Sequence, residues 1–216
     1  MLQTIKRWLG TGPAIDQQRW VVLDVESSGL DAHHDRLLAI AAMAVHLDAG
    51  VPRIHLGDSF EVVLRQPASA LAPDKGNILL HGIGVGAQRS GAEPAPALEA
   101  FKAWVGASPL LAFHAGFDRT MIERACRATL GDCLPNPWLD LEPLAAVLFP
   151  EVRARALDEW LAHFKIDCTR RHQAAADTLA TAELMLKLWP ALRRQAPQPR
   201  FEDVVALAKL RRWLPQ

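Results

Sequence analysis

Two carboxylates separated by one residue follow a short apolar run in the segment Asp24-Val25-Glu26. The run WVVL at residues 20–23 is compact and rich in β-branched residues, which is typical of a buried strand. Side chains two positions apart on a strand point to the same face, so the two acids would lie together. Their repulsion favours a divalent cation between them, and Mg²⁺ or Mn²⁺ prefers oxygen ligands. Taken alone, the motif is weak and is better explained by two solvated acids at a strand edge.

Two later segments carry further groups suited to such chemistry. Asp118 follows a short apolar segment and stands where a strand is predicted to give way to a helix, a position that also suits a helix-capping acid. His172 and Asp177 are five residues apart, so they converge only if the histidine precedes a helix and leans over its first turn. Histidine titrates near neutral pH and suits proton transfer. A surface histidine and an ordinary helical aspartate remain the alternative interpretation of that pair.

In this order, the three segments resemble the DEDDh family of 3′→5′ exonucleases, to which the epsilon proofreading subunit of bacterial DNA polymerase III belongs. The resemblance extends over about residues 20–188. Its first motif is similar to residues 24–31, with Ser27 and Ser28 in place of threonines. The third is similar to residues 171–174, where Gln173 stands in the position that a sister group fills with tyrosine. Residues 81–83 and Leu139-Asp140 resemble shorter signatures of the family.

The second family motif is present with a departure. Aligned on Phe117-Asp118, Phe113 stands where the family usually has histidine, and His114 stands where it has asparagine. The acids and the late histidine of the family are all retained in this sequence. The departure therefore leaves the expected chemistry intact and bears on the substrate contacts near His114.

The resemblance implies a site with two divalent metal ions, Mg²⁺ or Mn²⁺. The metal ligands that it implies are Asp24, Glu26, Asp118 and Asp177. It also implies that His172 accepts the proton of the attacking water. The substrate contacts expected from it are Ser27, Ser28, Leu30, His81, His114 and Arg171. For Leu30 and His81, a purely local structural role is an equal alternative.

The apolar pattern predicts the elements that must position these groups. Strands are expected at residues 20–25, 36–47 and 59–65 as an antiparallel meander, and at 110–113 before a helix at 117–130. Further helices are expected around residues 98–105 and at 142–149, 156–163, 173–189 and 200–213, with Pro190 ending the fourth of these five. The fold class is therefore α/β with a mixed sheet. The resemblance implies a ribonuclease H-like sheet of five strands, three antiparallel and then two parallel, flanked by helices.

Composition limits the class of protein without identifying it. The chain has 216 residues, a formal net charge of zero and three cysteines without a CxxC pair. Zero net charge gives no support to nucleic-acid binding, and the cysteines indicate neither a disulfide framework nor a zinc site. No apolar run approaches the ~18 residues of a membrane span, so we expect a soluble cytoplasmic protein. The expected organisation is an N-terminal arm at residues 1–19, an exonuclease domain at 20–190 and a C-terminal helical extension at 191–216.

Three functions remain open on the sequence. The first is a free-standing exonuclease that acts on the single-stranded 3′ end of DNA or RNA and releases nucleoside 5′-monophosphates. The second is a proofreading subunit that docks on a DNA polymerase through residues 190–216. The third is a catalytically inactive nucleic-acid-binding module, which leaves the retention of all five catalytic groups without a chemical reason.

Overall fold

Five strands form one mixed sheet in the computed structural model, which describes residues 14–70, 75–168 and 170–213. The strands are β1 (Arg19–Ser27), β2 (Leu37–Asp48), β3 (Val51–Val63), β4 (Leu110–Ala112) and β5 (Trp138–Asp140). Their order across the sheet is β3-β2-β1-β4-β5. The first three pair antiparallel, whereas β4 pairs parallel with β1 and β5 pairs parallel with β4. The predicted ribonuclease H-like sheet is confirmed.

Helices flank this sheet, and within the described residues they come after β3 along the chain. They are α1 (Lys75–His81), α2 (Val85–Ser90), α3 (Pro94–Val105), α4 (Gly116–Leu130), α5 (Leu141–Leu148), α6 (Leu157–Phe164), α7 (Ala174–Gln195) and α8 (Phe201–Ala208). Short 3-10 turns occupy Ala68–Ala70 and Lys209–Trp213. No helix within the described ranges is both long enough and apolar enough to cross a membrane.

The central strand β1 is covered on both faces, which explains its continuous apolar sequence. Trp20 and Val22 belong to the buried cluster that contains Leu184 of α7. Val21 and Leu23 belong to a second cluster that contains Phe101 of α3, as well as Ile122 of α4. Packing from both sides fixes this strand and therefore fixes the direction of the side chains at its C-terminal end.

Strand β3 and helix α7 have bounds that differ from the sequence prediction for a physical reason. Strand β3 begins at Val51 rather than at residue 59, because it is an edge strand whose early side chains are mostly exposed and carry little apolar signal. Helix α7 continues to Gln195, so the prediction that Pro190 ends it is wrong. Trp189 and Leu192 are buried on either side of that proline, and their packing offsets the backbone hydrogen bond that proline cannot make.

The C-terminal residues pack into the same core as the sheet. The ring of Trp20 meets the ring of Trp189 edge-on at 5.7 Å and that of Phe201 at 5.3 Å between centroids. Val204 is also buried in this cluster. The boundaries drawn at residues 19 and 190 stay predictions, and α7 runs across the second of them.

A polar cluster around Asp58 joins the edge strand to the rest of the domain. Arg19 donates from Nε and Nη2 to the two carboxylate oxygens at 2.7 and 2.8 Å. Trp104 donates from Nε1 at 3.0 Å, and His46 Nε2 lies 2.8 Å from the same carboxylate. The hydrogen bonds from Arg19 contribute most to holding the pKa of Asp58 well below its ordinary value. One side chain thus links β3 to β1, β2 and α3.

We expect Asp58→Asn to lower the free energy of unfolding by about 2 kcal/mol at pH 7, because it removes charge-assisted hydrogen bonds. The lowered folded-state pKa places this stabilisation above the ordinary value of 3.8, and it is lost as pH falls below that value. Urea unfolding at pH 7 and near pH 3 measures the difference. Asp48→Asn, at an exposed position of the same hairpin, is the control. A deficit that is as large at pH 3 as at pH 7 would contradict this account.

Candidate active site

The five side chains expected to act in catalysis line one pocket at the C-terminal end of β1. This open cavity of about 460 Å³ is bordered by Asp24, Glu26, Asp118, His172 and Asp177. Asp24 and Glu26 lie on one face of the strand, and Val25 between them packs into the core on the other face. Asp24 and Asp177 are 153 positions apart in the sequence, and they line the same pocket on one side of the molecule.

Asp118 reaches the pocket from the first turn of α4. Because β4 runs parallel to β1, the chain leaves both strands at the same edge of the sheet. The carboxylate of Asp118 is buried and accepts a hydrogen bond from the backbone N–H of Val25 at 3.2 Å. Burial is the main reason that the pKa of Asp118 rises to about 7. This hydrogen bond ties the start of α4 to the strand segment between the two other acids.

The start of α7 supplies the remaining groups. Asp177 is buried in its first turn, and its Oδ2 accepts the backbone N–H of His172 at 3.0 Å. His172 precedes the helix with a φ of 61°, and its side chain is exposed. The backbone N–H of Ala174 donates to the carboxylate of Glu26. The helix N-terminus therefore directs N–H groups at two of the acids.

Burial, together with the mutual repulsion of the carboxylates, favours their protonated forms. Burial, followed by the charges of Asp118, Glu26 and Asp177, raises the pKa of Asp24 well above its ordinary value. Burial, followed by the charge of Asp177, raises the pKa of Glu26 to about 8. Such shifts mark a site where negative charge exceeds the positive charge available to compensate it.

Arg171 provides part of that compensation. Its Nη1 donates to Asp177 and its Nε donates to Asp158, so the guanidinium bridges α7 and α6. The charge of Arg171 also lowers the pKa values of Asp24 and Glu26. The guanidinium thus stands as an internal cation within the group of acids.

The donor chemistry of the pocket fits divalent cations. Four carboxylates face one cavity, and Oε1 of Glu26 is buried without a hydrogen-bond partner in the described part of the chain. Oxygen ligands of this kind suit Mg²⁺ or Mn²⁺. Within the same residues, no three histidine, cysteine or acidic side chains are already arranged around a single ion position.

The expected substrate contacts divide into two groups. Ser27, Leu30, His114 and Arg171 line the pocket, and the side chain of Leu30 is 92% exposed. Ser28 and His81 do not line it, and their role in substrate binding stays a prediction.

Those two residues have local partners instead. Ser28 donates from Oγ to Asp35 at 2.9 Å and accepts the backbone N–H of Arg36 at 2.9 Å, which closes the loop between β1 and β2. His81 is buried, and its Nδ1 accepts the N–H of Ile83 at 2.9 Å.

Several pocket residues escaped the sequence analysis as functional groups. Phe113, Phe117 and Leu157 form an apolar wall. The two phenylalanines stand in the second family motif without an assigned role, and Leu157 is an ordinary core residue by sequence. Asp140 was noted only as part of a short signature. Its Oδ1 accepts the backbone N–H of His114 at 3.0 Å, and so it holds the turn that leads into α4.

The chain is similar in sequence to one family model and to several known proteins. The model of the exonuclease family RNase_T matches residues 21–185. The chain is 30% identical over 177 residues to the PolC-type DNA polymerase III of Bacillus subtilis, covering 81% of the chain and 12% of that protein. It is 30% identical to a DNA polymerase III subunit epsilon-like protein of Rhodobacter capsulatus, covering 83% of the chain and 25% of that protein. The chain therefore spans a quarter or less of these relatives.

Solved structures share the fold at lower identity. Exonuclease I of E. coli, in complex with a dT13 oligonucleotide, superposes with a TM-score of 0.69 at 18% identity. The match covers 83% of this chain and 42% of that one. At this identity the likeness establishes the fold alone.

We expect Glu26→Gln to flatten the pH dependence of stability in metal-free protein. Folding raises the pKa of Glu26 from 4.5 to about 8, so the folded chain binds more protons than the unfolded chain between these values. The free energy of unfolding therefore falls as pH rises through this interval, and the variant loses that share of the fall. Chemical unfolding in EDTA at pH 5 and pH 8 measures it. Glu61→Gln on β3 is the exposed control, and equal slopes in both variants would refute the expectation.

Proposed function

Because the chain belongs to the exonuclease family RNase_T, we propose that it is a metal-dependent 3′→5′ exonuclease. It hydrolyses the terminal phosphodiester of a single-stranded 3′ end and releases a nucleoside 5′-monophosphate. The observation that carries this proposal is the convergence of four carboxylates and one histidine, from three separate segments, on one open pocket. Each segment alone has a structural explanation, whereas their convergence has a chemical one.

The four acids of the pocket are the proposed ligands of the metal ions. Asp24, Glu26, Asp118 and Asp177 would hold two divalent ions, with Mg²⁺ or Mn²⁺ as the expected species. When bound, such ions lower the pKa of water and stabilise both the attacking and the departing oxygen. The backbone donors Val25 and Ala174 keep the side chains of Asp118 and Glu26 oriented in their absence. A zinc-bound form is known for the exonuclease I complex with single-stranded DNA, which supports a divalent site in this fold.

His172 is the group suited to take the proton of the attacking water. Its side chain is exposed at the pocket border, where it exchanges protons with solvent after each turnover. Its backbone is held by the hydrogen bond to Asp177, so the imidazole is anchored beside the acids even though it precedes the helix. The base and one metal ligand are thereby positioned together.

The terminal nucleotide has both apolar and cationic partners in this pocket. Phe113, Phe117 and Leu30 offer surfaces for the sugar and base, and Ser27 lies beside the acids at the end of β1. Arg171 presents a planar guanidinium that suits a phosphate. In this role it leaves Asp177 when substrate and ions enter and remains tethered to Asp158.

The names of the relatives support DNA as the polymer, because they are a DNA polymerase and an epsilon-like subunit. They also favour a second candidate, a proofreading subunit that docks on a polymerase in the bacterial cytoplasm. Exonuclease I, which shares this fold, is known in complex with a dT13 oligonucleotide, and this supports single-stranded DNA as the substrate class. A parallel digestion of labelled single-stranded DNA, duplex DNA carrying a mismatched 3′ end, and short RNA separates these possibilities.

We expect Asp24→Asn to abolish hydrolysis of 3′-labelled single-stranded DNA, because it removes a carboxylate at the centre of the acid group. Excess EDTA should abolish activity of the unaltered protein, and added Mn²⁺ or Mg²⁺ should restore it. Glu61→Gln on β3 is the matched control and should retain full activity. Turnover that persists in Asp24→Asn, or after exhaustive chelation, rules out this site.

We expect His172→Ala to lower kcat by roughly 10²–10⁴-fold, as for loss of a general base. Raising the pH should recover part of the rate in this variant, because hydroxide then replaces the missing base. The measurement is a single-turnover rate between pH 6 and pH 9 at saturating Mn²⁺. His55→Ala, on the exposed edge strand, serves as the control, and an unchanged rate in His172→Ala at pH 7 would exclude the assignment.

A further inference from the structure

A second cavity lies on the other side of the loop that borders the active site. It has a volume of about 680 Å³ and opens between β2, the end of β3 and helix α4. Leu37, Leu64, Leu98 and Met121 contribute an apolar floor. None of the five residues assigned to catalysis lines it. The catalytic mechanism therefore leaves this cavity without a role.

Four arginines surround the apolar floor: Arg36, Arg65, Arg124 and Arg127. Arg65 and Arg127 are paired with acids outside the lining, Glu93 and Glu123. Arg36 and Arg124 make no ion pair in the part of the chain that the structure describes.

Neutral groups hold those two guanidiniums in place. Arg36 donates to the amide oxygen of Gln66 at 3.2 Å, and Arg124 donates to the carbonyl oxygens of Ala32 and Asp35. Both side chains are partly buried with their positive charge uncompensated.

The one acid in the lining is already engaged elsewhere. Asp35 accepts hydrogen bonds from Ser28 Oγ and from the backbone N–H of Asp31, inside the loop between β1 and β2. Its carboxylate packs so closely against Gly29 that a Cβ there would lie 2.4 Å from Oδ2. Asp35 therefore stabilises the loop, and the cavity retains a net positive charge for an anionic ligand.

The two cavities are connected through shared elements. The loop between β1 and β2 borders both cavities. Ser27 at the end of β1 and the first part of the loop, with Gly29 and Leu30, line the active-site pocket. The last part of the loop, with Asp35 and Arg36, lines the second cavity. Helix α4 contributes Asp118 to the active-site pocket and Arg124 to the second cavity. At 1.5 Å per residue, these two residues are about 9 Å apart along the helix axis. A strand with stacked bases, as in a duplex, rises about 3.4 Å per nucleotide, so about three stacked nucleotides span that distance.

We propose that this arginine-lined cavity binds the single-stranded nucleic acid upstream of the 3′ end, at about the third nucleotide from the cleaved bond. Backbone phosphates contact Arg36 and Arg124, and a base lies on the apolar floor. Charge complementarity and the shared loop favour a nucleic-acid strand over an acidic peptide. This proposal rests on the proposed exonuclease function, because it extends the strand that occupies the first pocket.

The test compares short and long strands on a protein that does not cut them. With Asp24→Asn as the parent, fluorescence anisotropy measures the dissociation constants of labelled dT2 and dT6. Adding Arg36→Gln should weaken dT6 binding about five- to tenfold and lower the salt dependence of log Kd by about 0.7, the value for one lost phosphate contact on a single strand. Binding of dT2 should not change, because it does not reach the cavity.

Three further variants keep this result interpretable. Arg36→Lys retains the charge and should recover most of the dT6 affinity. Arg127→Gln removes a positive charge from the same lining, so it should also weaken dT6, but by less than Arg36→Gln because Glu123 already pairs with Arg127. Arg194→Gln on α7 removes one charge far from either lining and should have no effect. Equal dT6 affinity in the parent and Arg36→Gln, equal weakening of dT2 and dT6, or an equal loss in Arg194→Gln would overturn the proposal.

The proposed function itself is measured separately in the unaltered protein. Hydrolysis of the p-nitrophenyl ester of thymidine 5′-monophosphate with Mn²⁺ requires the first pocket only. If this ester is cleaved at equal rates by the unaltered protein and Arg36→Gln while the dT6 effect is absent, the cavity proposal alone fails. If the ester and the strand are both left intact by the unaltered protein, the exonuclease proposal fails.

Discussion

The mutual repulsion of buried carboxylates is the constraint on which this structure depends. Asp24 and Glu26 share one face of β1, and Asp118 and Asp177 are brought beside them by two helices that start at the same edge of the sheet. An acid group of this kind destabilises a fold unless rigid elements hold it and cations compensate it. The apolar packing on both faces of β1 supplies the rigidity. The helix N-termini and Arg171 supply part of the compensation.

The sequence predicted the elements that position the candidate catalytic groups, because each group stands beside a strong local signal for a strand or a helix. The run at residues 20–23 identifies a buried strand, and it fixes the side on which Asp24 and Glu26 lie. Asp118 is placed by a strand-to-helix junction and Asp177 by the start of a long helix. The prediction that these groups converge depended on the resemblance to a family, because a local sequence pattern carries no information about contacts between residues 24 and 177.

What sequence reasoning missed has physical reasons as well. Strand β5 has three residues and follows a stretch with two prolines, so it has too few apolar positions to show a period. Helix α7 passes through Pro190 because tertiary packing of Trp189 and Leu192 overrides a local breaker. Ser28 serves the loop between β1 and β2 rather than the pocket lining, since its partner Asp35 lies seven residues away in that loop. Such contacts become visible only when the chain is folded.

If the pocket holds divalent ions as proposed, the bridge from Arg171 to Asp177 and Asp158 affects how strongly those ions bind. An ion that binds Asp177 must compete with the guanidinium of Arg171, because that ion pair is already formed. The carboxylates attract both the ion and Arg171, and these two attractions compete. The apparent affinity of the pocket for the ion is therefore lower than the same carboxylates would give without the arginine. Such an exchange makes occupancy responsive to the free concentration of the ion, and it lets the ion-free chain persist without collapse of its acidic centre.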